Sequence, residues 1–446
     1  MGISTREAAW KMWGSLCRGR KGWRLPAAEA PRGGMGVNRQ ERNGGKVDSD
    51  STRIERHIDV LDGVRAVAVG LVAWFHFWQQ SWITPKITFP TNITKYFGLT
   101  GINLEGFVRY GFVFVDMLIL ISAFCNFYPY ARSILLQEPW PDTKDFYRKR
   151  AIRILPSYYF FLLMSVVIMI AEGTFVADGF FWKDLLAHLT CTGPLFPDTY
   201  LGSRFNLALW TVQIEVLYYL LMPWIARLFR RWPVLTTIGL WGGGIVSANY
   251  ILYEKGDMIR AYGNQMATFA GCYANGMLLC LLYITLRRSL TENRYTRLAA
   301  TGAAFCCVLH LSRMMRQLGA GELQLVQLGQ RFELSLVFSV FLLTLPFACR
   351  GLKVLFANGA MRLLAGISYN FYMWHQYIAV KCKEWRIPYW EGETPPNMTG
   401  DKVWMWKYQV LIVLFSLAVA FVLTYGLERP VSIAMKKRAG KNNTRL

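Results

Sequence analysis

The chain's 446 residues are 53% hydrophobic and 15% aromatic, and only 17% are charged, against roughly 25% in an average soluble domain. That balance argues against a string of soluble domains and for one polytopic membrane domain. The formal net charge of +22 does not point to nucleic acid, because the basic residues fall in short runs between apolar stretches, as cytoplasmic loops do.

Residues 1–56 are polar, Gly-rich and basic without periodicity, and are expected to form a disordered arm. No apolar stretch follows the basic start, so no secretory signal peptide is expected. Arg6 stands where a myristoylation motif needs Ser or Thr. Trp10, Trp13 and Trp23 lie among basic residues, a pattern suited to a membrane surface, and Met35 offers an alternative start.

From residue 62 onward, apolar runs recur that are long enough to span a bilayer: about 20 residues at about 1.5 Å rise cross about 30 Å of hydrocarbon. The expected spans are 64–80, 108–127, 154–171, 207–226, 234–252, 266–286, 297–311, 332–348, 364–381 and 408–427. The expected fold is therefore all-α, a polytopic membrane helix bundle of about ten transmembrane helices over 57–432, followed by a basic tail, 433–446. Loops rich in Arg and Lys follow spans two, four, six, eight and ten and all fall on one side, which makes both termini cytoplasmic and the chain multi-pass in the cell membrane. The opposite loops, 172–205 and 382–406, are longer and less basic. Three Asn-x-Thr sequons begin at Asn92, Asn397 and Asn442, the first two in outer loops. The nine cysteines form no CxxC pair, and Cys306 and Cys307 are adjacent, which suits neither a disulfide nor a metal site.

Ionisable groups inside a span cost about 2.5–3.5 kcal/mol each and mark candidate functional sites. Arg65 and His76 in span one are eleven residues apart, almost three helical turns, so they share a face about 16 Å apart along the axis. Asp62 is placed to pair with Arg65. Glu215 in span four shares a face with Thr211, Tyr218 and Tyr219, and needs a partner or a polar cavity. Arg150 and Arg153 lie together at the mouth of span three, where they suit phosphate binding; ordinary positive-inside anchoring accounts for their spacing equally well. Ser368, Tyr372 and His375 share one face of span nine, although Trp374 and His375 also read as interface-belt residues. Asp116 in span two, with Arg109 on its face, is a weaker candidate. His57, His188 and His310 are given no role.

These segments resemble the acyltransferase-3 family of membrane O-acyltransferases. Leu61-Asp62-Gly63-Val64-Arg65 with His76 is similar to the family's opening motif, and Val115 through Phe124 to its second-span motif. The Arg-rich stretch from Arg148 to Tyr158 resembles its third-span start. Trp210, Thr211 and Glu215 match its Trp-Ser/Thr-x-x-x-Glu pattern. Ser368, Tyr369, Tyr372, Trp374 and His375 match its ninth-span pattern, and Glu428-Arg429-Pro430 its closing motif. The chain departs from the family at Ala123, where Gly is usual, at Met117-Leu118 in place of an aromatic pair, and at Gln376-Tyr377, where Pro is common. The resemblance implies a cytoplasmic acyl-CoA donor, typically acetyl-CoA, with no tightly bound cofactor and no metal. It also implies a hydroxyl acceptor, usually on a cell-surface glycan. Its implied assignments are catalysis by His76, Glu215 and Arg65, donor binding by Arg150 and Arg153, and substrate contacts from His375, Tyr372, Ser368 and Trp210. His76 then acts as a general base oriented by Glu215, or as a covalent acyl carrier. The competing class is a transporter or flippase of a glycan or lipid, which also buries ionisable groups in many spans but shows internal repeats, of which none is evident here.

Overall fold

The computed structural model describes residues 58–83, 86–88, 101–255, 258–319 and 323–443. The N-terminal arm with its tryptophans, Met35, His57 and the Asn92 sequon lie outside the described residues. Ten long helices carry the fold: α1 Asp59–Ser81, α2 Phe114–Leu136, α3 Thr143–Ala171, α4 Trp210–Arg231, α5 Pro233–Glu254, α6 Ala270–Ser289, α7 Arg294–Leu318, α8 Leu323–Thr344, α9 Gly359–Glu384 and α10 Lys402–Leu423. Among the described residues, nine helices are long and apolar enough to cross a membrane. The remaining long helix, α9, spans 26 residues, enough for about 30 Å of hydrocarbon. It buries Ser368, Asn370 and His375 and packs between α1 and α10, so its polarity faces protein rather than lipid. Leu163, Val246, Leu298, Phe305 and Val422 are all at least 60% exposed. A soluble surface does not carry so many large apolar side chains, and the chain is a multi-pass membrane protein.

Several helices begin earlier than the apolar runs alone indicate. α3 starts eleven residues before the expected span, at Thr143. The Asp142 side chain caps it by accepting from the Asp145 backbone N–H at 2.7 Å, and the Arg/Lys-rich segment forms its first turns. α8 starts at Leu323, not at 332, because Arg331 is inside the bundle rather than in a loop. The outer segment after α1 holds a two-stranded antiparallel hairpin, Lys86–Thr88 against Gly101–Asn103, a small β element within an otherwise helical fold. Asn397, the second sequon, is buried and is not presented for modification in this conformation.

Close backbone approach sets the packing of α2 on α6. A Cβ built at Gly276 would lie 2.5 Å from the Leu120 carbonyl oxygen and 2.7 Å from the Ala123 Cβ. The extra methyl at Ala123, where the family usually has Gly, is thus accommodated by the bare glycine opposite.

Asp116 is fully buried, and its partner is Arg331 of α8 rather than Arg109. Arg331 Nε donates to Asp116 Oδ1 at 2.8 Å, and the Gln327 amide donates to Oδ2 at 3.1 Å. The remaining Arg331 donors reach the Gly263 carbonyl, the Thr268 hydroxyl and the Asn264 side chain at 2.7–2.8 Å. The guanidinium also stacks on Phe269 at 3.9 Å. Arg109 pairs with Glu105 instead. Removing one member of such a pair strands a buried charge at a cost of about 3–5 kcal/mol, whereas replacing both by apolar groups costs far less. Arg331→Ala is therefore expected to lower thermal stability in lipid severely, and Asp116→Leu combined with Arg331→Met to recover most of it; differential scanning fluorimetry of the two variants checks this.

Candidate active site

Most of the segments singled out in the sequence converge on one polar cavity, although His76, His375 and Trp210 are not among its lining residues. Helices α1, α2, α3, α4 and α9 line it, through Arg65 and Val69, through Ser122, Cys125 and Asn126, through Arg150 and Arg153, through Thr211, Glu215 and Tyr219, and through Ser368, Tyr369 and Tyr372. Its volume is about 110 Å³, below the roughly 300–1,000 Å³ of drug-sized ligand sites. It has room for the reacting end of a substrate rather than for a nucleotide.

Three guanidinium groups border this space. Arg65 pairs with Asp62 at 3.5 Å, as its spacing predicts, and points a second nitrogen at the Cys125 sulfur, 3.4 Å away. Arg150 lies over the rings of Phe146 and Tyr219, 5.3 Å from each centroid, and donates to the Cys125 carbonyl at 3.4 Å. Arg153 is exposed within the site and makes no hydrogen bond or ion pair with a described residue. Its charge acts on Glu215 and Glu428 without a direct contact.

Glu215 has both a partner and a cavity, but its partner is not His76. The Ser122 hydroxyl donates to Glu215 Oε1 at 2.6 Å, and the Tyr219 hydroxyl, one turn along α4, donates to the same oxygen. Asn126 supports Ser122 from the next turn of α2 at 3.2 Å. Oε2 accepts from no described residue and is available to the cavity.

His76 pairs with a second imidazole: its Nδ1 lies 2.8 Å from Nε2 of His375. α1 and α9 run in the same direction and present the two rings at one level. His375 is fully buried, while His76 is partly accessible. The His375 Nδ1 lies 2.7 Å from the carbonyl of Tyr372, and Tyr372 in turn lines the cavity and accepts a 2.8 Å hydrogen bond from Thr211. Ser368 also lines the cavity, its hydroxyl donating to the Ala365 carbonyl at 2.8 Å. Trp210 stands apart from the cavity lining, packed between Tyr200 and Phe269.

Sequence reading passed over Ser122, Asn126, Tyr219 and Glu428 as site groups. Ser122 was legible as the hydroxyl of the second-span motif and Tyr219 from its place one turn after Glu215. Glu428, which the sequence marks only as part of the Glu428-Arg429-Pro430 motif, accepts from Asn370 at 2.7 Å at the end of a π-helical turn, Thr424–Glu428. His188 belongs to a separate outer cluster with Asp184 and Ser203. There, Ser203 Oγ is 3.4 Å from His188 Nε2, but the Arg204 and Phe205 amides are spent on Asp184 and Ser203. These hydrogen bonds make the cluster a loop tie. His310 pairs with Glu333.

A family model described as an acyltransferase domain matches residues 58–425, from the start of α1 to the end of α10. No curated protein and no solved structure matches the chain.

The turn of α1 that carries His76 rests on Gly111, where an added Cβ would lie 2.2 Å from the Leu71 carbonyl oxygen and 3.1 Å from the Phe75 Cβ. Misplacing a reacting group by about 1 Å can cost on the order of a hundredfold in rate. Gly111→Ala is expected to reduce acyl transfer by at least tenfold in protein that still inserts; turnover normalised to folded protein by size-exclusion profile checks this.

Proposed function

This chain belongs to the family defined by that acyltransferase domain, and from this premise we propose that it transfers an acetyl group from acetyl-CoA to a hydroxyl of a cell-surface glycan or related acceptor. It is a membrane acyltransferase; the donor and the acceptor are our reading. The observation that carries the reading is that five helices, distant in sequence, bring three guanidinium groups and a carboxylate to one small cavity, while an imidazole pair lies outside its lining, linked to it by the Tyr372 backbone.

The positive-inside pattern puts both termini and the Arg-rich start of α3 in the cytoplasm. Coenzyme A approaches from that side. Arg153, which has no partner among the described residues, and Arg150 offer forked donors for its phosphates, and the cavity's volume admits only the acyl-thioester end. The acceptor hydroxyl meets His76. His76 takes the hydroxyl proton as the oxygen attacks the thioester carbonyl carbon. The tetrahedral intermediate collapses with cleavage of the carbon–sulfur bond, an ester forms, and the proton on the imidazolium neutralises the departing thiolate as free CoA. Arg65, three turns of α1 from His76, is too far away to touch the same carbonyl and instead adds positive charge on the donor's side of the cavity. Glu215, held by Ser122 and Tyr219, sets the potential around Arg153 rather than orienting His76. Ser368 and Tyr372 contribute to acceptor placement along α9, and aromatic residues of the outer segment 383–406 hold the rest of the acceptor.

His76→Ala is expected to lower acetyl transfer by about 10²–10⁴-fold, the usual contribution of a general base, while the protein still inserts; near-normal CoA release from acetyl-CoA would refute the base assignment. Arg153→Ala is expected to raise the KM for acetyl-CoA at least tenfold with a smaller change in kcat. An unchanged KM would return Arg153 to a purely topological role.

A further inference from the structure

We propose that His375 is a positioning residue that fixes the tautomer of His76, leaving Nε2 of His76 as the bare proton acceptor; this rests on the general-base reading of His76. The sequence suggests a substrate contact for His375, but its side chain has no exposed surface. His76, by contrast, is partly accessible.

The hydrogen-bond inventory decides where the protons are. His375 Nδ1 faces two backbone carbonyls, Tyr372 at 2.7 Å and Phe371 at 3.2 Å. A carbonyl oxygen only accepts, so Nδ1 carries the hydrogen. In a neutral imidazole the other nitrogen then holds a lone pair. Nε2 of His375 is therefore the acceptor in the 2.8 Å contact, and the hydrogen between the rings belongs to Nδ1 of His76. By the same rule Nε2 of His76 is bare. A doubly protonated His375 is disfavoured, because the groups around its ring are Phe77, Phe371, Tyr372 and His76. None is an anion, and a buried unpaired charge is costly.

The helices are pinned so that this contact keeps its register. Near the outer ends of α9 and α1, Lys383 donates to the Gln80 carbonyl at 3.0 Å. Asn206 donates to the Met373 carbonyl at 2.8 Å, bracing the turn of α9 that carries His375. The Phe77 ring sits edge-on to His375 with centroids 5.9 Å apart. The arrangement follows the logic of a catalytic triad, in which a buried partner selects the imidazole tautomer, with a backbone-anchored histidine in the carboxylate's place.

The test uses full-length protein in lipid nanodiscs, labelled with ¹⁵N-histidine. The chain has only five histidines, so single substitutions assign the signals. The expected result is an Nδ1–H tautomer for His76 in the wild type, which shifts toward Nε2–H in His375→Phe and persists in His375→Gln, whose amide oxygen replaces Nε2 as acceptor. Acetyl transfer should fall about a hundredfold or more in His375→Phe, within the range of a lost general base, and be largely retained in His375→Gln. An Nε2–H tautomer for His76 in the wild type overturns the inference without any variant being needed, as does a His76 tautomer unaffected by His375→Phe. The base reading fails separately: an Nδ1–H tautomer, as expected, together with undiminished transfer by His76→Ala removes the catalytic role but leaves the pairing.

Discussion

A polar group inside hydrocarbon must find its hydrogen-bond partners within the protein, and the 2.8 Å contact between His76 and His375 is where that constraint shapes this molecule most. Neither histidine has a carboxylate partner among the described residues, so each depends on the other, and His375 on backbone carbonyls as well. That dependence fixes α1 against α9, and α9 in turn carries the Ser368 and Tyr372 side chains into the cavity. The register of these two helices, clamped at the Lys383–Gln80 contact and filled at Phe77, holds the remaining site residues at their distances.

The bundle contains two kinds of charge, one sealed inside the protein and one open to the cavity, and the difference separates scaffold from site. Asp116 and Arg331 form a closed system in which every nitrogen of the guanidinium donates and both carboxylate oxygens accept. Such a network has nothing left to offer a ligand. Arg153 and Glu215 are the reverse. Arg153 has no partner among the described residues, and Glu215 is held through one oxygen by two hydroxyl groups. Open valence of this kind costs stability in the empty protein, and it makes sense where a charged substrate supplies the missing partners.

The sequence made most of the fold legible and part of the site. Ten spans follow from hydrophobic run length, since a bilayer permits few alternatives to helices. Their starts were less visible, because capping and charged first turns extend a helix beyond its apolar stretch, as at Asp142. The expected span eight began at 332, just past Arg331, and only the fold reveals the aspartate on α2 that makes burial of this arginine tolerable. The pairing of Arg65 with Asp62 is local, three residues apart, and was readable. The partner of His76 was not: a carboxylate is the usual orienting group, and nothing in linear spacing brings residues 299 apart to one level. The same holds for Glu215, whose donors Ser122 and Tyr219 were named as neighbours on a motif and a face but not as its ligands.

The central claim is that this bundle performs bond-making chemistry on an acyl thioester, and the most direct measurement is free thiol release. Purified full-length protein in nanodiscs is incubated with acetyl-CoA labelled in the acetyl group, with and without hydroxyl-bearing glycans. The account predicts that CoA thiol appears in step with labelled ester on an acceptor and depends on that acceptor being present. Correctly inserted protein that consumes no acetyl-CoA with any acceptor offered, yet moves a glycan or lipid across the membrane, would contradict it.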